Sequence, residues 1–167
     1  MKITDALRGE HGVFYAQFDQ LERDLDGVAL PVLQAEGALL AAGLAPHAHI
    51  ENELLFPALE NDLGGEGGPL DVFREEHAKI EDSLQKLQAL RALADQHDDI
   101  EGALARLPSA ASAAEARVLL RGALSVAREH FAKEEQMLFP MAEQILGERQ
   151  LTQLGEAWAA RRSVVLS

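Results

Sequence analysis

One pattern occurs twice in this chain, in the same register: His47-Ala-His-Ile-Glu51-Asn-Glu-Leu-Leu-Phe56-Pro57 and His130-Phe-Ala-Lys-Glu134-Glu-Gln-Met-Leu-Phe139-Pro140. Residues four apart on an α-helix lie one above the other, so each copy presents an imidazole and a carboxylate in one direction. Apolar residues share that direction: Leu44, Leu54 and Leu55 in the first copy, Val126, Ala127, Met137, Leu138 and Met141 in the second. The chain must therefore turn two His/Glu pairs into a core. Burying two carboxylates among apolar groups is costly unless something cationic neutralises them.

Two further histidines lie on apolar stripes, His11 between Leu7, Phe14 and Phe18, and His77 between Phe73, Ile80 and Leu84. Four helices thus each offer one inward histidine. A pair of di- or trivalent metal ions would neutralise the glutamates and occupy the imidazoles, which makes His11, His47, Glu51, His77, His130 and Glu134 the candidate ligands. Any one of these features alone reads as a surface ion pair or a hydrogen-bonded core histidine; their coincidence on four helices favours metal. Glu81, four after His77, and Tyr15, four after His11, face inward with their histidines, either as further ligands or as hydrogen-bond partners of ligands. His49 and His97 are expected to face solvent, and Glu53, Glu129 and Glu135 to be surface charges. The phenylalanine and proline that close each copy read as packing and kinks.

Ala, Leu, Glu and Arg dominate, and apolar residues recur at helical spacing, which predicts an all-α fold. Leu7, Phe14, Phe18, Leu21 and Leu25 mark the first helix, ended by Asp26-Gly27. Pro31 opens a second, running to about Asp62, with a kink or break expected near Gly43 to Pro46 and another at Pro57. The run Gly64 to Pro69 is the clearest loop, and Pro69 opens a third helix that should stop near Asp95. Ser112 and Glu115 have capping-box spacing for the fourth. The expected arrangement is one domain over residues 1–167: an up-down four-helix bundle with its core at about 3–145, and a short C-terminal helix at about 148–160 carrying Trp158. Glu10-His11 on the first helix is echoed by Glu76-His77 on the third.

The 167 residues contain no cysteine, which excludes thiolate metal sites and nucleophilic thiols, so a metal must sit on nitrogen and oxygen. A formal net charge of -13 opposes phosphate backbones and anionic lipid surfaces. No nucleic-acid partner is expected. Charged residues interrupt every apolar stretch before it reaches the length of a signal peptide or a membrane span, so a soluble, cytoplasmic protein is the expectation.

The residues from His11 to Pro140 resemble the hemerythrin-like, or HHE cation-binding, family. That resemblance implies an up-down four-helix bundle with two iron ions joined by an oxo or hydroxo bridge. It implies His11, His47, Glu51, His77, His130 and Glu134 as ligands, with Glu51 and Glu134 shared between the irons; zinc or manganese suits the same donors. The family's oxygen carriers have His-x-x-x-His on the third helix and an Asp five after the last histidine, where this chain has His77 with Glu81 and Glu134. It is more similar to the sensing and iron-responsive members. Ferritin-type bundles place Glu three before His, but Arg8, Leu44, Arg74 and Ala127 stand there. The implied function is a di-iron protein that binds or senses oxygen, peroxide or nitric oxide, or responds to iron. The alternatives are a di-iron oxidase or peroxidase, and a zinc-stabilised structural bundle. The implied partner is a small diatomic or peroxide ligand, and the protein a monomer or homodimer.

Overall fold

The computed structural model describes residues 1–63 and 73–165, without the side chains of 73–85, 87 and 88. Seven α-helices are described: α1 Ile3–Asp24, α2 Leu30–Ile50, α3 Phe56–Leu63, α4 Phe73–Ala105, α5 Ala113–Lys133, α6 Phe139–Ile145 and α7 Glu148–Arg162. A π-helical turn, Glu51–Leu55, joins α2 to α3, and another, Glu134–Leu138, joins α5 to α6. These joints make α2/α3 and α5/α6 single rods. With α1 and α4 they form a four-rod bundle, and α7 packs along α1 outside it. No strand occurs among the described residues.

The prolines explain the joints. In each π-turn the backbone N–H five residues on closes the ring, Phe56 to the Glu51 carbonyl and Phe139 to the Glu134 carbonyl. Pro57 and Pro140 then fall in the first turn of a new α segment, where a missing N–H costs no helical hydrogen bond. The break expected near Gly43 to Pro46 does not occur, since α2 carries Pro46 inside it and continues to Ile50. The disruption is displaced onto Glu51 to Leu55, beside the repeated glutamates.

The third helix also differs from expectation. It passes through Asp95 and runs ten residues further, to Ala105. Leu90, Leu93, Ile100 and Leu104 are all buried on one face, and this stripe carries the helix through the polar stretch. The loop and helix start expected from Gly64 to Pro69 lie outside the described residues, as do the side chains of His77 and Glu81.

Helix α5 begins as its sequence proposed: the Ser112 hydroxyl accepts from the Glu115 N–H at 3.2 Å, and the Glu115 carboxylate accepts from the Ala111 N–H at 2.9 Å. Ser112→Ala should cost about 1 kcal/mol in denaturant melts, the usual worth of an N-cap.

Two apolar clusters fill the bundle. One gathers Phe14, Phe18, Leu40, Leu44, Ile100, Leu104, Leu124 and Phe131, the other Leu7, Ile50, Leu55, Phe56, Leu93, Leu138, Phe139 and Trp158. Along α1 the chain passes from Leu7 to Phe14, and along α4 from Leu93 to Ile100, with a histidine between each time. Along α2 it passes the other way, from Leu44 to Ile50, across His47. This alternation fits an up-down bundle crossed by one polar layer. No described helix is long and apolar enough to cross a membrane.

Candidate metal centre

Six polar side chains, none more than 4 % exposed, make up that layer: His11, His47, Glu51, His97, His130 and Glu134. They form two groups, His11/His47/Glu51/Glu134 and Glu51/His97/His130/Glu134, in each of which one donor atom per residue lies within 4.8 Å of the others. Both glutamates belong to both groups. They open the two π-turns, so the local widening of each rod sits where its carboxylate enters the core, a common setting for π-turns at functional sites.

The imidazoles are held from outside and aimed inward. His47 Nδ1 meets Glu10 Oε2 at 2.6 Å and His11 Nδ1 meets Glu135 Oε1 at 2.9 Å. His97 Nδ1 meets Asn52 Oδ1 and His130 Nδ1 meets Gln96 Oε1, each at 3.4 Å. With Nδ1–H donated outward, each Nε2 turns its lone pair to the centre, the tautomer a metal requires. The Nε2 atoms of His11 and His47 are 3.1 Å apart, and those of His97 and His130 2.7 Å.

The glutamates complete the set. His130 Nε2 lies 3.0 Å and His11 Nε2 3.3 Å from Glu134, while His97 Nε2 lies 3.3 Å and His47 Nε2 3.5 Å from Glu51. None of these approaches is aligned as a hydrogen bond, and all four carboxylate oxygens are buried without a hydrogen-bond partner. Buried carboxylates normally have partners, and cations would supply them here. Burial pushes the Glu134 carboxyl up, but the neighbouring His11 and His130 outweigh it and hold it well below the usual carboxylate range. Burial likewise opposes charge on His47, yet the Glu51 and Glu10 carboxylates raise its pKa.

Aromatic rings wall the layer. Phe131 stacks on His11 with centroids 3.9 Å apart, Phe56 lies parallel to His97 at 6.1 Å, and Phe14 meets His47 edge-on at 5.5 Å. A cavity of about 10 Å³ opens between His47, His97, His130, Leu44 and Phe131. That is room for about one water.

Five of the six sequence candidates, all but His77, are thus brought together: His11, His47, Glu51, His130 and Glu134. His97 corrects the reading that placed it in solvent, for it is buried in the second group. Its flanking Gln96, Asp98 and Asp99 disguised it, although Leu90, Leu93, His97, Ile100 and Leu104 keep unbroken helical spacing. Twenty residues of α4, about 30 Å at the α-helical rise, separate His97 from His77. Tyr15 is half-buried and borders the layer through the edge of the His11 ring, centroids 6.5 Å apart; burial and Glu135 push its hydroxyl pKa up. Glu135, expected to be a surface charge, also holds His11. His49 is exposed, as expected, and is paired with Glu53.

Glu10 was not a candidate, yet it anchors His47. Its burial works against charge, but hydrogen bonds from His47 and Arg162, together with their positive charge, hold it at about 2 against an ordinary 4.5. A depressed carboxyl contributes stability that is complete above pH 4.5 and is lost as pH falls through about 2. Glu10→Gln should therefore flatten the acid limb of the stability curve over that window, as read by urea melts at stepped pH.

The family description Hemerythrin HHE cation binding domain matches residues 2–142, and again, overlapping, residues 88–157. No curated protein and no solved structure matches the chain.

Proposed function

The chain belongs to the hemerythrin HHE cation-binding family, and from that premise we propose that it is a di-iron protein that binds or senses oxygen, peroxide or nitric oxide, or responds to iron supply. One observation carries the reading: two four-residue donor groups share both of their carboxylates. His11 and His47 would hold one iron, His97 and His130 the other, and Glu51 and Glu134 would be available to both. In this reading His97 supplies the α4 donor, for which His77 was the candidate. Imidazole with carboxylate suits iron, zinc or manganese better than calcium or magnesium, which prefer all-oxygen shells. Iron held there supplies one-electron redox chemistry and open coordination positions for a small ligand.

The chain's own residues set the terms. Glu10, Glu135, Asn52 and Gln96 fix the imidazole tautomers, so no ring has to turn when metal enters. Phe14, Phe56 and Phe131 exclude bulk water. Tyr15 stands beside His11 as a neighbour rather than a ligand. The cavity at the layer, about 10 Å³, admits about one water-sized molecule and leaves no room for an organic substrate. This favours binding or sensing over oxidation of a larger molecule. A cytoplasmic setting belongs to the same reading.

Metal analysis and a visible absorption spectrum of the protein purified in air test it. About two irons per chain, with a charge-transfer band that His130→Ala removes, is the expected result, because metal at such a site depends on each deprotonated donor. Zinc retained and no colour with iron would favour the structural alternative. Sustained peroxide turnover would favour the peroxidase.

A further inference from the structure

All four histidines of the layer are held by residues of the bundle's own rods or joints: Glu135 for His11, Asn52 for His97, Gln96 for His130 and Glu10 for His47. His47 differs. Its partner Glu10 is gripped from outside the bundle by α7, whose Trp158 indole N–H donates to Glu10 Oε1 at 2.8 Å. Arg162 of the same helix donates from Nε to Oε1 at 2.7 Å and from Nη2 to Oε2 at 2.8 Å. Oε2 also accepts from His47 Nδ1. An unbroken line of hydrogen bonds thus runs from α7 to the centre.

A glycine lets α7 come close enough to make that grip. A Cβ at Gly155 would run into the Met1 carbonyl oxygen and sit 3.1 Å from the Lys2 carbonyl carbon. Trp158 is 9 % exposed and packed in the cluster with Leu7 and Phe139.

We propose that α7 sets the affinity of the His47 metal position through Glu10, so that docking of α7 and loading of that position stabilise one another. With Trp158 and Arg162 withdrawn, Glu10 is free to turn to solvent, and His47 loses the acceptor that fixes its tautomer and ring orientation. Loss of such an outer partner typically weakens metal binding 10–100-fold. The effect is confined to one ion, because His47 belongs to the group with His11 and not to the group with His97 and His130. Linkage makes the coupling reciprocal, so metal in that position holds α7 down by the same factor. The docked or released state of α7 then gives the centre a readout at the protein surface. The inference rests on His47 being a ligand.

The test uses the full chain, wild type, Gly155→Val, Arg162→Ala and Arg162→Lys, each titrated anaerobically with ferrous iron against a competing chelator. Hydrogen exchange of the α7 amides is followed with and without iron, and circular dichroism checks the fold. Expected are greater α7 protection in the iron-loaded wild type, and one of the two ions weakened about 10–100-fold in Gly155→Val and Arg162→Ala. Arg162→Lys, which keeps a charge and a donor, should recover part of the loss. A general loss of structure would weaken both ions alike. Equal α7 exchange with and without iron overturns the proposal. So do two ions as tight as wild type in a variant whose α7 exchanges freely, or equal weakening of both ions in Arg162→Ala. A wild type that holds no iron overturns both this coupling and the di-iron reading, whereas a wild type that keeps two ions while the variants do too overturns the coupling alone.

Discussion

Glu134→Ala should remove both metal ions, whereas His97→Ala should remove or weaken one. The carboxylate of Glu134 belongs to both donor groups, and His97 to the second only. The two variants also differ in what they leave behind. Without Glu134, four imidazoles face one another with one carboxylate among them, and the electrostatic reason for two cations at close range is gone. Without His97, the group of His11, His47, Glu51 and Glu134 is intact. Metal analysis after dialysis distinguishes the cases as none, one or two ions per chain. Glu134→Gln, which keeps the shape of the side chain, separates loss of charge from the cavity that alanine creates. One ion retained by Glu134→Ala would show that the carboxylate is not shared.

Stripping the metal should produce the largest change in stability. A ligand that binds only the folded chain stabilises it by about 4 kcal/mol when present at a thousand times its dissociation constant. For a domain of this size that corresponds to a fall in melting temperature of roughly 8–16 °C on removal of metal. The apo protein keeps the burden of the layer, two carboxylates with no hydrogen-bond partner at any oxygen. Glu51→Leu combined with Glu134→Leu should therefore give a metal-free chain more stable than the wild-type apo form, by about 1–4 kcal/mol, since apolar replacement of buried ionic groups is often stabilising. Calorimetry of three samples decides it: loaded, stripped, and the double variant. Equal melting of loaded and stripped wild type would contradict the coupling of metal to fold.

The centre was partly legible because a helix repeats every 3.6 residues. His47, Glu51, His130 and Glu134 stand four apart beside Leu44, Leu55 and Leu138, so their direction followed from spacing alone. His97 obeyed the same rule with Leu93 and Ile100, but three polar neighbours masked it. Glu135 and Glu10 carried no local signal. Each became a partner of a histidine only when a second rod met α1, and Glu10 also required α7, whose Arg162 lies 152 residues away.

The sequence by itself determined the all-α class, the inward pairs and the fourth-helix cap, because these depend on residues within one or two helical turns. Tertiary structure alone decided which α4 histidine enters the layer, since that depends on where the long helix sits against its neighbours. It also decided where the prolines are absorbed. Pro57 and Pro140 forbid continued α hydrogen bonding, but only packing chose π-turns over a break and so aimed both glutamates at one point. The grip of Trp158 and Arg162 on Glu10 likewise exists only because α7 folds back along α1, bringing the far end of the chain within hydrogen-bond reach of its beginning.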